Sequence, residues 1–130
     1  LPLKKGQKAE GATLDRFGAS CARVVVADVL EFSDDGFDRI LLDPPCSGLG
    51  VLAARPDARW RSDEAAADRM ADTQRRMLAH AETLLAPGGR LVYSVCTIRR
   101  SEGEGVLAGG RQTLPHRDGT DGFYLAALDG

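Results

Sequence analysis

An α/β fold with a parallel sheet is the architecture these 130 residues predict. Two short apolar runs, Arg39-Ile40-Leu41-Leu42 and Arg90-Leu91-Val92-Tyr93-Ser94-Val95, have the length and side-chain content of strands. Between them Met70, Met77, Leu78, Ala81, Leu84 and Leu85 recur at helical spacing. Strand, helix and strand joined by short connections make a βαβ unit, which sets the two strands parallel.

The opening through Gly11 is polar and rich in Lys and Gly, which predicts poor order, and Ala12 to Phe17 reads as the end of a helix stopped by Gly18. Arg23-Val24-Val25-Val26-Ala27 reads as a strand buried on both faces and ending in Asp28. Ser33 to Gly36 is a turn, and Phe37 to Leu42 is the next strand, with the look of a buried one. An arginine-rich connection, Arg55 to Arg61, carries Pro56 and Trp60. Ser62 is the expected N-cap of the long helix, with Asp63 and Glu64 complementing its dipole in the first turn. Pro87-Gly88-Gly89 ends that helix and turns into the Arg90 strand, and Glu102 to Leu107 has the makings of a short helix. A turn-rich stretch, Pro115 to Gly122, precedes a last strand from Phe123 to Leu128.

With 17 basic and 19 acidic residues the net charge is −2, which argues against a generic polyanion binder but leaves room for a local basic groove. No run approaches the roughly 20 apolar residues that span a bilayer, so no membrane partner is expected. Cys21, Cys46 and Cys96 are odd in number, lack C-x-x-C spacing and have no nearby histidines. That pattern predicts neither a disulfide scaffold nor a metal site, and suits reduced thiols in the cytoplasm. Cys21 reads as a small structural hydrophobe.

The other two cysteines stand in unusual company. Asp43-Pro44-Pro45-Cys46-Ser47-Gly48-Leu49-Gly50 follows one strand directly, and Cys96-Thr97 follows another. Two prolines remove two backbone donors and fix the chain's exit from the sheet. A carboxylate and two thiols are thereby delivered to the strand ends where open α/β sheets bind ligands. Such a set suits one demanding reaction. Carbon-5 of cytosine takes a methyl group only after a thiolate has added to carbon-6 while an acid holds the ring nitrogen at position 3; a base must then remove the carbon-5 proton before the thiol leaves. Cys96, Asp43 and Cys46 are three candidates for those three roles.

These motifs resemble the Sun/Nop-type RNA 5-methylcytosine methyltransferases. The resemblance runs through Val24 to Asp28, Phe37 to Gly50, Gln74, Pro87-Gly88-Gly89, Leu91 to Thr97 and Pro115 to Phe123, so it covers about Ala19 to Leu128. It implies a class I, Rossmann-like methyltransferase fold whose parallel sheet ends in an antiparallel strand, S-adenosylmethionine as cofactor, and RNA, ribosomal RNA above all, as substrate. By the same resemblance Cys96 is the nucleophile and Cys46 assists release. Asp43 contacts the base and lies near the cofactor, while Asp28 contacts the cofactor's adenosine part. Arg59 and Arg61, close behind Cys46, are candidate phosphate contacts, with Trp60 as a stacking platform. Amino methylation, the other use of an Asp-Pro-Pro loop, calls for an aromatic residue where Cys46 stands and gives Cys96 no task.

Two parts of the family pattern are missing from these residues: the glycine-rich cofactor loop after the first strand and the ribose-binding acid after the second. The expectation is therefore a partial catalytic domain, with residues 1–18 a poorly ordered or remnant helical lead-in, its N-terminal strands missing, and weak cofactor affinity on its own. A second reading is a truncated or inactive chain that only binds RNA or a partner.

Overall fold

The computed structural model describes all residues except 1–11, Asp35 and Ser62, and of Ala58, Arg61 and Glu64 it describes the backbone alone. The expectation for the opening through Gly11 lies outside the described residues. The chain divides into two compact units, Leu1–Phe32 and Ser33–Gly130.

In the first unit a helical turn, α1 (12–16), ends where expected: the Phe17, Gly18 and Ala19 amides fold back on Thr13, Asp15 and Leu14, and Gly18 takes the left-handed backbone. The strand expected at Arg23–Ala27 is not formed. Val24, Val25 and Val26 are 37%, 49% and 44% exposed, and no described strand pairs with them. β-branched residues favour a strand only when neighbours supply a ladder and a face to pack on. Asp28 caps a 3-10 turn, Val29–Glu31, accepting from the Leu30 amide at 2.9 Å.

The second unit is a four-stranded sheet with a long helix. β1 (Phe37–Leu42) pairs parallel with β2 (Leu85–Val95), and β4 (Tyr124–Asp129) lies antiparallel to β2. A two-residue strand, β3 (Arg111–Gln112), pairs antiparallel with β4 from its other side, giving the order β1-β2-β4-β3. Gly36 before β1 is left-handed, as the turn there requires. Between β1 and β2 run α2 (Ala58–Arg61) and α3 (Glu64–Thr83). The N-cap of α3 is Asp63, whose carboxylate accepts from the Ala66 amide, one residue beyond the expected Ser62, which lies outside the described residues. The helix stops at Thr83, so Leu84 is its C-cap and Leu85 already pairs with Phe37 in the sheet. Ala86 to Gly89 are taken up in a bulge of β2, because the register steps from Phe37↔Leu85 to Arg39↔Arg90.

Side chains at 67, 71, 74, 78 and 81 form the buried stripe of α3, the alternating three-and-four spacing of one helix face. Against it stand Leu42, Leu91, Tyr93, Val95, Tyr124 and Ala126, all from one face of the sheet. The opposite face is open: Leu41 is 72% exposed, so β1 is half-buried rather than buried as its sequence suggests. Glu102 to Leu107 form a run of turns instead of a helix, with the Gly105 amide reaching back to the Arg100 carbonyl. Four glycines among residues 103–110 explain why no helix propagates there. Pro115–Asp118 is a single helical turn, α4, stopped by left-handed Gly119. The register of β4 is pinned at its end by a two-point ion pair, Arg90 Nε and Nη2 to the Asp129 carboxylate at 2.6 and 3.0 Å.

Leu91 lies fully buried in the centre of this one-sided core. Leu91→Ala should lower stability by about 3 kcal/mol, read as a fall in the urea midpoint by circular dichroism with an unchanged slope.

Candidate active site

β1 and β2 run parallel, so their carboxyl ends open on the same edge of the sheet. Asp43 to Gly48 leave one end and Cys96-Thr97 leave the other. The outcome is a pair of free thiols with Cys46 Sγ and Cys96 Sγ 3.3 Å apart, in contact but far beyond the roughly 2.05 Å of a disulfide. Asp43, Pro44, Cys46, Arg55, Met70 and Cys96 are among the residues around an adjoining cavity of about 470 Å³. The structure thus brings together three of the expected site residues, Asp43, Cys46 and Cys96.

Burial above all, and then the hydrogen bond to Cys96, pushes the Cys46 thiol from its ordinary 9.0 up to about 12; the Gly48 backbone amide opposes this less strongly. Cys46 therefore keeps its proton at neutral pH.

The loops are held together by a carboxylate that the sequence reading passed over. Glu102 is fully buried. One of its oxygens accepts from the Ser47 amide at 2.8 Å and from Gln74 Nε2 at 3.2 Å. The other accepts from the Ser47 hydroxyl at 2.5 Å and the Thr97 hydroxyl at 2.9 Å. Ser47 follows Cys46 and Thr97 follows Cys96, so one side chain binds the residue behind each thiol. Gln74, also fully buried, gives a further bond to the Pro45 carbonyl at 2.9 Å. The Tyr93 hydroxyl donates to the Glu102 carbonyl at 2.6 Å, and burial followed by the Glu102 charge pushes that phenol's pKa up. Gln112 of β3 donates to the Thr97 carbonyl at 3.1 Å.

A second clamp is made of backbone. The Gly50 amide donates to the Cys96 carbonyl at 3.0 Å, and the Gly122 amide donates to the Gly50 carbonyl at 2.8 Å. A Cβ on Gly50 would fall 1.7 Å from the Gly122 oxygen, so only glycine permits this approach. The end of the Pro115-to-Gly122 segment is thereby tied to the loop that follows Cys46. Within it Asp118 accepts from the Leu114 amide at 2.8 Å, and the Arg117 guanidinium beside it, followed by that amide, holds its carboxyl below the ordinary range.

The remaining expected site residues stand elsewhere along the chain. Asp28 belongs to the first unit, as the cap already described. Arg59 is exposed, with its guanidinium 4.8 Å from the Trp60 ring centre, and Arg61 is described by its backbone only. Trp60 is 80% exposed and does not pack on α3. Signals for the missed residues did exist. Gln74 occupies a buried register position of α3 between Ala71 and Leu78, and a polar side chain at such a position requires buried partners. Glu102 offered only an acid among glycines, six residues beyond Cys96. Among the described residues no group of three or more His, Cys, Asp or Glu could hold a metal, and no helix is long and apolar enough to cross a membrane.

Comparison with known proteins shows the family of this chain. The crystal structure of NSun6 from Pyrococcus horikoshii with SFG aligns with a TM-score of 0.83 and 28% identity, covering 97% of this chain and 39% of that one. Ribosomal RNA small subunit methyltransferase B of Vibrio cholerae is 40% identical over 112 residues, covering 71% of this chain and 25% of the relative. Ribosomal RNA small subunit methyltransferase F of Shewanella loihica is 40% identical over 98 residues, covering 73% and 20%. The profile of the 16S rRNA methyltransferase RsmB/F family matches residues 5–111. The chain belongs to that family, and it spans about a quarter of the length of the curated relatives it matches.

The proton held on Cys46 has a measurable consequence. With a raised pKa, any stability gained from the neutral thiol is fully present below pH 9.0 and is lost as pH rises toward about 12. Iodoacetamide labelling followed by peptide mass spectrometry should find Cys46 slower than exposed Cys21, with a rate still climbing above pH 9.0. A plateau near pH 9.0 in folded protein would contradict the assignment.

Proposed function

We propose that the protein carrying this chain methylates carbon-5 of a cytosine in RNA, in the ribosomal RNA of a reducing cytoplasm, through a covalent bond to Cys96. The observation that carries this reading is the pair of free thiols 3.3 Å apart beside Asp43, at the ends of two adjacent parallel strands. Family membership supports the reaction class and the RNA substrate.

The donor set at this edge suits S-adenosylmethionine. Asp43 offers a carboxyl group near the cofactor, and Pro44 and Met70 offer apolar surface beside it; Asp28 is the candidate for the adenosine. When bound, the cofactor supplies an electrophilic methyl group for carbon-5. SFG, an analogue of that cofactor, appears with the related NSun6, which supports the same choice here.

The residues of this chain divide the remaining work. The Cys96 thiolate adds to carbon-6, opening the C5–C6 double bond and pushing its electrons toward ring nitrogen 3, which takes a proton from Asp43 acting as acid. Cys46, still protonated, can donate its S–H to the neighbouring sulfur and so hold Cys96 in place for the attack. Once Cys96 is a thioether, its thiol no longer raises the Cys46 pKa, while burial still raises it and the Gly48 backbone still lowers it. Cys46, having given its own proton to solvent at this stage, takes the carbon-5 proton of the methylated base, so that the C5–C6 double bond re-forms and Cys96 leaves as thiolate. Arg55 of the cavity wall and, further along the chain, the exposed Arg59–Trp60 pair offer positive charge and a ring face to an RNA strand.

Tests in the full-length protein separate these roles. Cys96→Ala should abolish methyl transfer, and retained turnover would overturn the nucleophile assignment. Cys46→Ala should let attack proceed but trap the product, so an RNA adduct should survive denaturing electrophoresis. For the RNA path, replacing Arg59 and Arg61 together by Ala should weaken binding and reduce the slope of log affinity against log salt by about 1.4, as two lost single-strand phosphate contacts require. Cofactor affinity should be unchanged, and an unaltered salt slope would remove this segment from the RNA path.

A further inference from the structure

We propose that Glu102 is a positioning residue: its buried carboxylate sets the distance between the two thiols by holding Ser47 and Thr97, the residues that follow them. This deepens the proposed function and rests on it for the catalytic consequence, but the geometric claim stands on the structure alone. Glu102 touches neither sulfur in any bond recorded, and no step of the reaction uses it. Yet it is fully buried, and four donors converge on its two oxygens, three from the Cys46 and Cys96 loops and one from α3.

Proton counting shows how tightly the cluster is specified. Ser47 and Thr97 own one hydroxyl proton each, and both point to the same Glu102 oxygen. The 2.9 Å approach of the two hydroxyls to one another is then a consequence of their shared acceptor. Thr97 Oγ1 keeps acceptor capacity and takes the Arg99 amide at 3.1 Å. Gln74 extends the clamp to the Pro45 carbonyl, on the other side of Cys46. The Cys46 loop is thus held both before and after its thiol, and the Cys96 loop is held immediately after its own. The Gly50–Cys96 backbone bond joins the two loops further along the chain, and Glu102 adds the tie directly behind both sulfurs.

Glutamine is the informative replacement. Its oxygen can still accept from the Ser47 amide and Gln74, and its NH₂ can donate to the Ser47 and Thr97 hydroxyls, which then serve as acceptors. Glu102→Gln should therefore preserve the geometry without the charge, whereas Glu102→Ala removes it. Thr97→Val deletes one hydroxyl at constant volume and serves if Glu102→Ala does not fold.

The probe is phenylarsine oxide, whose arsenic exchanges its oxygen for two sulfurs and releases water, with no change of oxidation state. It is captured in this way only where two thiols lie together, and it needs neither RNA nor cofactor. In full-length protein with Cys21 replaced by Ser, wild type and Glu102→Gln should capture it at rates within about twofold of each other. Folded Glu102→Ala, and Thr97→Val, should be slower by about tenfold or more, and kcat should fall in parallel with little change in KM for RNA. Capture at the wild-type rate by either folded variant would overturn the proposal, as would loss of capture in Glu102→Gln equal to that in Glu102→Ala. Retained methyl transfer in Cys96→Ala would instead defeat the catalytic reading and leave the clamp standing.

Discussion

A carboxylate taken out of water must be met by donors, and an unpartnered one costs several kcal/mol. In this fold that requirement falls on Glu102, and it is met by residues from β1's exit, β2's exit and α3 at once. Each donor is useful only if the others are in place, because a half-satisfied buried network is worse than none. The carboxylate therefore acts as a geometric constraint on three segments distant in sequence. The thiol contact, the cavity beside it and the path of the Pro-Pro loop all depend on that constraint.

The sheet provides the frame on which it works. Parallel pairing of β1 and β2 brings two carboxyl ends to one edge, and antiparallel β4 carries Tyr124 into the core beneath the turns that hold Glu102. The Tyr124 hydroxyl donates to the Leu107 carbonyl and accepts from the Gly110 amide, closing those turns on themselves. Gly103 lies against the same ring, where a Cβ would sit 2.8 Å from Cγ. The glycines that prevent a helix here thus also allow the aromatic ring to approach.

Much of this was legible in the residues. β1, α3, β2 and β4 were readable because each has its own periodicity, and the Asp43, Cys46 and Cys96 group because prolines and thiols at strand ends have no ordinary structural use. The misreadings share one cause. Val24 to Val26 and Leu41 look buried as sequence, but burial depends on what stands opposite, and nothing local specifies that. Glu102 was hidden for the same reason: its donors lie 5, 28 and 55 positions away. Asp63 rather than Ser62 as the cap is a one-residue boundary of the kind that either side chain could have supplied.

The contact between Gly50 and Gly122 also gives the site a schedule. A chain emerging from the ribosome presents Cys46 first and Cys96 later, yet the loop that braces them arrives only with residue 122. β4, synthesised after β3, must enter the sheet between β2 and β3. At about 5–20 residues per second, several seconds separate the first thiol from the backbone that closes over it. From the completion of β2 until β4 arrives, β2 is a bare edge. Vectorial synthesis thus leaves the nascent domain with an unfinished sheet and an unbraced thiol pair, a window in which a chaperone has something definite to protect.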